Sequence, residues 1–163
     1  MILILLGTIK YSFVRILKEI ETLKKSGVLN DEIVAQIGHT KFKSSLISTF
    51  DFKSKEELDK LIIKADIVIS HSGTGSAISV LSHKTKLILA PRYSDFQEHS
   101  DDHQLDLAQK FKDLGYASVF LNKNNLLDVI NKTYSSNFLE FKSNSQNSVM
   151  FVDELIKNTF KTS

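Results

Sequence analysis

The chain has 163 residues, of which 42% are hydrophobic and 25% charged, a length and balance that fit one globular domain and exclude a disordered chain. Its 21 basic residues nearly balance 19 acidic ones, and a net charge of +2 argues against nucleic acid as the main partner. Because there is no cysteine, disulfides, thiolate metal sites and a cysteine nucleophile are excluded.

Short apolar runs alternate with segments of helical period, which is the pattern of a parallel α/β sheet flanked by helices. The first run, residues 2–6, predicts a buried strand, because it is too short for a signal-peptide core or a membrane span. A helix with apolar residues at helical spacing follows and ends at Gly27. The runs at 32–37 and 46–50 predict the next two strands.

The second half of the chain continues this alternation. The stretch SKEE, residues 54–57, has the form of a capping box and predicts a helix that leads into a strand over 66–70. After a bend that contains glycine, the predicted elements are a short helix over 76–82, a strand over 86–90, a helix ended by Gly115, a strand over 117–121 and a short helix over 126–130.

These elements predict a Rossmann-like domain over 1–134, followed by a surface connection over 135–148 that is rich in Asn and Ser. Residues 149–163 have the apolar face of a terminal helix, which must pack either on this domain or on a partner. No stretch approaches the ~18 apolar residues of a spanning helix, so no direct membrane span is predicted.

The bend VISHSGTGS, residues 68–76, follows the most clearly apolar of these strands. Ligands of parallel sheets bind at the carboxyl ends of strands, and Gly73 and Gly75 allow the backbone to approach one closely. The next helix offers unpaired N–H groups, and Ser72, Thr74 and Ser76 add hydroxyl donors. The pattern indicates a site for phosphate or pyrophosphate, but a strand-to-helix turn without a ligand explains the same residues.

Two common phosphate-binding loops do not fit this bend. A Walker loop requires a lysine after its glycines, and none follows Gly75. A dinucleotide fingerprint requires a third glycine at position 78, which is isoleucine, and it normally follows the first strand of the sheet. The sequence therefore disfavours nicotinamide binding, and no cofactor is predicted.

Two further polar segments are expected at the same edge of the sheet. Thr8 follows the first strand, and His99, His103 and Gln104 lie in the segment HSDDHQ after the strand over 86–90. His99 and His103 are four residues apart and share a helix face, but no third metal ligand is marked. Hydrogen bonding of a ligand by His103 and Gln104 is favoured, and no metal site is predicted.

Four motifs in this order resemble the carboxyl-terminal half of glycosyltransferase family 28. They are GT followed by FxR near the start, QIGHTKF over 36–42, ADIVISHSGTGSAISVL over 65–81 and DDHQLDLAQKFKDLGY over 101–116. The resemblance covers about residues 1–121. It is strongest to small stand-alone members, namely the catalytic subunit of the two-part N-glycan UDP-GlcNAc transferase and related bacterial capsule and exopolysaccharide subunits.

The resemblance implies a GT-B fold, of which this chain would be the half that binds a UDP-sugar donor. Carried over to this chain, Ser72, Gly73, Gly75 and Ser76 would contact the phosphates, and His103 and Gln104 the sugar or a phosphate. Thr8 would lie at the cleft. Thr74, Ser79 and His99 complete the expected donor site, while no catalytic residue is assigned.

One position departs from the family pattern. Larger members carry a glutamate that holds the ribose hydroxyls, where this chain has Ser79. A serine cannot bind both hydroxyls as a carboxylate does. Either another residue such as Glu98 replaces the glutamate, or nucleotide affinity is low, which leaves a non-catalytic enhancer of a partner glycosyltransferase as the alternative function.

A complete GT-B enzyme has two such domains, and this chain has the length of one. The resemblance therefore implies a membrane-associated partner subunit that supplies the acceptor-binding half. No residue of this chain is a convincing general base, so we expect the base to come from the partner or the acceptor side. The expected reaction is transfer of a hexose or N-acetylhexosamine from UDP to a lipid-linked acceptor in capsular or exopolysaccharide synthesis. The chain would be cytoplasmic, held at the inner face of the membrane by its partner.

Overall fold

The computed structural model describes residues 1–141, which form one parallel sheet with helices on both faces. The strands are β1 Ile2–Leu5, β2 Ile33–Gln36, β3 Ser48–Phe50, β4 Ile67–Ser70, β5 Lys86–Leu89 and β6 Ser118–Val119. The helices are α1 Val14–Lys25, α2 Lys55–Lys64, α3 Thr74–Ser82, α4 His103–Asp113 and α5 Leu126–Ser135, with a short 3₁₀ helix at Ser94–Phe96.

The strand order is β3-β2-β1-β4-β5-β6, so the chain starts in the middle of the sheet and winds outward in both directions. This is the doubly wound order of Rossmann folds, and the predicted fold class is confirmed. In the central register, Leu5 pairs with Gln36 on one side and with Ser70 on the other. Since β1, β2 and β4 end at the same level, the turns that follow them lie side by side.

The two faces of the central strands support two core layers. Ile2 and Ile4 of β1 pack with residues of α1 and α5, while Leu3 and Leu5 pack with residues of α2, α3 and α4. All four residues of β1 are buried, which explains why its sequence is uniformly apolar rather than alternating. Within the described chain, no helix is long and apolar enough to cross a membrane.

Helix boundaries follow the local chemistry of the chain. The predicted capping box is present, because Ser54 Oγ accepts from Glu57 N at 3.3 Å and Ser54 N donates to the Glu57 carboxylate at 3.1 Å. The helix α3 begins at Thr74, two residues earlier than predicted. The helix α5 reaches Ser135 rather than residue 130, since Thr133 is buried and its hydroxyl bonds to Ser118 Oγ at 2.7 Å.

The predicted surface connection, residues 135–148, is described only as far as Phe141. Its first residue, Ser135, is the last residue of α5, so the connection begins one position later than predicted. The backbone N–H of Leu139 donates to the Gly115 carbonyl at 3.0 Å, which anchors the segment beside the end of α4. The predicted terminal helix over 149–163 lies outside the described residues.

The turns after β1 and β2 are packed closely through Gly38. Gly38 has a φ of +55°, and a Cβ added to it would lie 2.6 Å from the Gly7 carbonyl oxygen. Gly27, which ends α1, has a φ of +75°, but a Cβ added there would meet no described atom within 4 Å. Both glycines therefore have left-handed backbone geometry, but of the two only Gly38 lacks space for a side chain.

We expect Gly38→Ala to destabilise the fold clearly more than Gly27→Ala. Each variant pays roughly 1–2 kcal/mol for an alanine in left-handed backbone geometry. Gly38→Ala adds a clash with the Gly7 carbonyl, for which overpacking costs suggest a further ~1–3 kcal/mol. Urea denaturation of both variants measures the difference. Equal free energies of unfolding would show that the turn after β1 moves to relieve the clash without a cost in free energy.

Candidate functional site

A cavity of about 300 Å³ opens at the carboxyl ends of β1, β2 and β4. Its lining residues come from the last residues of β1 and β2, from the turns after β1 and β4, from the start of α3 and from α2: Leu5, Gly7, Thr8, Gln36, Leu58, His71, Gly73, Gly75 and Ser76. Four residues predicted for the donor site, Thr8, Gly73, Gly75 and Ser76, are therefore brought together although they come from two distant parts of the sequence.

The N-terminus of α3 is open toward ligands at this cavity. Gly73 is its N-cap residue and, among the described residues, no side chain caps the helix. Its first backbone bond runs from Ala77 N to Gly73 O at 3.0 Å, so the N–H groups of Thr74, Gly75 and Ser76 have no acceptor within the helix. No acidic residue lies in the first turn. The combination of unpaired donors and the positive end of the helix dipole favours an anion.

Three other residues predicted for the donor site belong to the same segment but do not line the cavity. Thr74 and Ser79 are half-buried on α3. Ser72 is fully buried, and its hydroxyl has no hydrogen-bond partner within residues 1–141. Thr74 contributes its backbone N–H to the helix terminus.

The residues predicted from the segment HSDDHQ also lie outside the cavity lining. Gln104 is buried, and its Oε1 accepts the backbone N–H of Arg92 at 3.1 Å. The ring of His99 lies beside Tyr11, with centroids 6.1 Å apart, and His99 Nδ1 is 3.2 Å from Asp101 Oδ1. His103 is the first residue of α4 and is exposed. In the described part of the chain, no cluster of His, Asp and Glu has the form of a metal site.

Glu98 forms an internal ion pair and does not present its carboxylate to a ribose in this arrangement. Arg15 donates to both of its oxygens, from Nε at 3.1 Å and from Nη2 at 3.0 Å. The backbone N–H of Tyr93 donates to the same carboxylate at 3.2 Å. Since Glu98 is also buried, the suggestion that it replaces the ribose-binding glutamate is corrected: its partner is Arg15.

His71 is a cavity residue that the sequence reasoning missed. Its ring lies between the turns after β1 and β4, because a Cβ added to Gly7 or Gly73 would come within 2.6 Å or 2.4 Å of Nε2. Nδ1 lies 3.3 Å from the Leu5 carbonyl oxygen. A carbonyl only accepts, so this contact assigns the ring proton to Nδ1 and leaves Nε2 as an acceptor. The signal in the sequence was a single large side chain within a bend of small residues.

Burial lowers the pKa of His71 to about 4, the Leu5 carbonyl opposes this shift, and the positive charges of Arg92 and His99 add to it. The ring is therefore neutral near pH 7. Positive potential in the cavity comes from the α3 terminus and from Arg92, whose charge acts on His71 across the turn after β1.

The strand order defines a Rossmann-like domain, and its cavity and the uncapped terminus of α3 lie at the edge of the sheet where such domains bind their ligands. Residues 1–159 match the family model of the glycosyltransferase family 28 C-terminal domain. The chain belongs to this family.

Curated relatives include two kinds of N-acetylglucosamine transferase. The chain is 31% identical over 121 residues to the UDP-N-acetylglucosamine--N-acetylmuramyl-(pentapeptide) pyrophosphoryl-undecaprenol N-acetylglucosamine transferase of Clostridium botulinum, a match that covers 74% of the chain and 29% of the relative. It is 37% identical over 75 residues to the UDP-N-acetylglucosamine transferase subunit ALG13 of Candida albicans, covering 46% and 24%. The chain thus spans less than a third of the length of either relative.

Solved structures show the same fold at low sequence identity. The glycotransferase of kitacinnamycin aligns with a TM-score of 0.59 and the calicheamicin glycosyltransferase CalG4 with 0.57, each at 14% identity. The alignments cover 98% and 97% of this chain and 39% of each neighbour. This chain therefore corresponds in fold to a part of these larger glycosyltransferases.

Lowering the pH should destabilise the fold through His71. With a folded pKa of about 4, the native state binds fewer protons than the unfolded state, whose histidine titrates near 6.5. The stabilising contribution is complete above pH 6.5 and is lost as the pH falls toward 4, by roughly 3 kcal/mol. Unfolding free energies of wild type and His71→Gln across this range measure the loss.

The ring resonances of His71 provide a direct check on the wild-type chain. We expect the NMR titration midpoint of this ring near 4. A midpoint near 6.5, or the same pH slope of stability in His71→Gln as in wild type, would contradict the buried, neutral ring.

Proposed function

We propose that the chain is the UDP-sugar-binding subunit of a two-component glycosyltransferase that transfers a hexose or N-acetylhexosamine to a lipid-linked acceptor. The observation that carries the proposal is the uncapped N-terminus of α3 at the cavity of Thr8 and Ser76. The names of the curated relatives support it, since each is a UDP-N-acetylglucosamine transferase or a subunit of one.

The geometry supports a simple electrostatic role in the reaction. The donor diphosphate would accept hydrogen bonds from the N–H groups of Thr74, Gly75 and Ser76, with the hydroxyl groups of Thr8 and Ser76 as additional donors. Negative charge grows on the UDP oxygen as the bond to the sugar breaks, and fixed dipoles at the helix terminus stabilise that charge without a metal ion. The remaining predicted contacts, from Ser72, Ser79, His99, His103 and Gln104, belong to the same proposal.

The general base is proposed to come from the partner or the acceptor. His71 is the one titratable residue among the described residues that line the cavity. With a pKa of about 4, its neutral ring is a weak base near neutral pH. Its Nε2 is better suited to accept a hydrogen bond from a hydroxyl of the bound donor.

Exposed aromatic residues at the same edge of the sheet support a partner subunit. Tyr11, Phe52 and Phe96 lie in the loops after β1, β3 and β5 and are 45%, 47% and 48% exposed. Aromatic residues are enriched in protein interfaces, and a second chain covering this edge would enclose the cavity. We infer that the partner is membrane-associated, holds the chain at the cytoplasmic face and acts with it in capsular or exopolysaccharide synthesis.

A non-catalytic enhancer subunit is the second candidate. It is favoured by Ser79, which lacks a carboxylate, and by the ion pair that engages Glu98 with Arg15. In that case the chain would activate a partner glycosyltransferase without holding the donor. Measuring UDP affinity of the chain, alone and with its co-purified partner, separates the two candidates.

Gly75→Asp should strongly weaken UDP binding while the protein stays folded. A Cβ at Gly75 meets no described atom within 4 Å, and a carboxylate in the first turn stabilises a helix by about 0.3–1 kcal/mol. The same carboxylate would repel the diphosphate and accept hydrogen bonds from the N–H groups of α3 that would otherwise bind it. By calorimetry we expect UDP affinity to fall by about tenfold or more.

Gly75→Asn is the matched control, because it has the same size without the charge. Its UDP affinity should remain within about threefold of wild type. If both variants bind UDP as tightly as wild type, the phosphate does not bind at the α3 terminus. If wild type does not bind UDP even in the presence of its partner, the enhancer function is the remaining candidate.

Transfer should require the partner subunit. We expect the purified chain to produce no glycosylated lipid from UDP-sugars, and the co-purified complex to produce it. Mass spectrometry of the lipid fraction after incubation with a panel of UDP-hexoses and UDP-N-acetylhexosamines identifies donor and product. Full activity of the chain alone would show that the acceptor half and the base do not come from a second polypeptide.

A further inference from the structure

We propose that Arg92 is a positioning residue for the donor site, which it serves without contacting the donor. It joins the β1–α1 loop, residues 6–13, to the β5–α4 loop, residues 90–102. The inference rests on the proposed function, since the donor whose binding it supports is a UDP-sugar.

The guanidinium of Arg92 donates to three backbone carbonyls in these two loops. Nη2 donates to Leu6 O at 2.6 Å, and Nη1 donates to Tyr11 O at 3.0 Å and to Glu98 O at 2.9 Å. Two of these acceptors lie more than 80 positions away in the sequence. Beyond the ends of β1 and β5, no strand pairing joins these two loops. The Arg92 side chain therefore sets the distance between them.

Two of these three bonds lie beside a residue predicted for the donor site. Leu6 is two positions before Thr8, and Glu98 directly precedes His99. The backbone N–H of Arg92 also donates to the Gln104 side chain at 3.1 Å, which ties the start of α4 to the same residue. A shift of Arg92 would thus be transmitted to the turn after β1, which lines the cavity, and to the start of α4.

Arg92 is only 1% exposed, so it cannot itself be a contact of a bound nucleotide in this arrangement. Its guanidinium lies 4.7 Å from the centre of the Phe13 ring, which holds the side chain in place. Burial lowers its pKa to about 10, while the Glu98 carboxylate raises it, so the group stays charged at neutral pH. A buried guanidinium charge costs free energy unless hydrogen bonds of good geometry to the carbonyls compensate for its lost hydration.

A planar guanidinium is required for this role. Its fork of N–H donors reaches several acceptors at fixed angles, whereas a lysine presents one compact ammonium on a flexible stem. Arg92→Lys keeps the charge and removes the fork. It therefore separates positioning of the loops from the general attraction of a cation for the diphosphate.

Calorimetric titration of UDP into the full chain is the first test. We expect UDP affinity to fall by about tenfold in Arg92→Lys, although the charge is retained. Ile130→Ala, which creates a cavity in the buried face of α5, is the control for lost stability alone. It should keep UDP affinity within about twofold of wild type, and affinity within twofold in Arg92→Lys would overturn the inference.

Amide hydrogen exchange without nucleotide is the second test, and its outcome does not depend on the proposed function. In Arg92→Lys, we expect exchange to accelerate by about tenfold over residues 6–13 and 94–104, with little change in β1 and α5. A merely structural role would accelerate exchange throughout the sheet. Unchanged exchange in the two loops would overturn the inference even if wild type binds UDP, whereas failure of wild type to bind UDP would overturn only the proposed function.

The wild-type chain offers a third test if Arg92→Lys does not fold. The Nη protons of Arg92, held by three carbonyls, should appear as separate, slowly exchanging NMR resonances. Addition of UDP should slow their exchange further, because the bound donor restrains both loops. A freely rotating guanidinium with averaged resonances would contradict the role.

Discussion

Close packing of the strand-exit turns around His71 is the constraint on which the site depends. The central strands end at one level, and their turns approach one another so closely that Gly7 and Gly73 have no room for a Cβ beside the His71 ring. Gly38 is held in the same way against the Gly7 carbonyl. With a Cβ excluded at these glycines, backbone groups and small hydroxyls form the part of the cavity wall at the start of α3, which suits an anion that is bound by N–H donors.

Charge in this region is distributed so that the open end of α3 remains the dominant attraction for an anion. The first turn of α3 carries no acid, and Glu98, the one buried carboxylate among the described residues, is paired with Arg15. His71 is neutral, and Arg92 is charged but directed onto backbone carbonyls. A donor diphosphate would therefore meet fixed dipoles rather than mobile side chains, which is the arrangement that stabilises a leaving nucleotide.

Elements whose signals are local were predicted well from the sequence. The buried strands appear as apolar runs, and the Ser54 capping box marks the start of α2 where the structure has it. The end of α5 was missed because Thr133 is held by Ser118, a contact that only the folded chain creates. The start of α3 was placed two residues late, since the helix begins at Thr74 with Gly73 as its N-cap residue.

Only those parts of the candidate site that a short segment of sequence defines could be predicted. The glycine bend and Thr8 meet at the cavity, as their positions after parallel strands suggested. The roles of His71, Glu98 and Gln104 could not be predicted from the sequence, because each side chain contacts a distant residue. His71 lies beside Gly7, Glu98 pairs with Arg15, and Gln104 accepts a hydrogen bond from Arg92. A sequence pattern alone therefore does not show which other parts of the chain these side chains contact.

The most direct measurement of the central claim is an NMR titration of the amide-labelled chain with a UDP-sugar. If the α3 terminus holds the diphosphate, the largest amide shifts will be those of Thr74, Gly75 and Ser76, with smaller shifts at Gly7 and Thr8. Largest shifts elsewhere, for example along β6, or no shifts in the presence of the partner, would contradict the account.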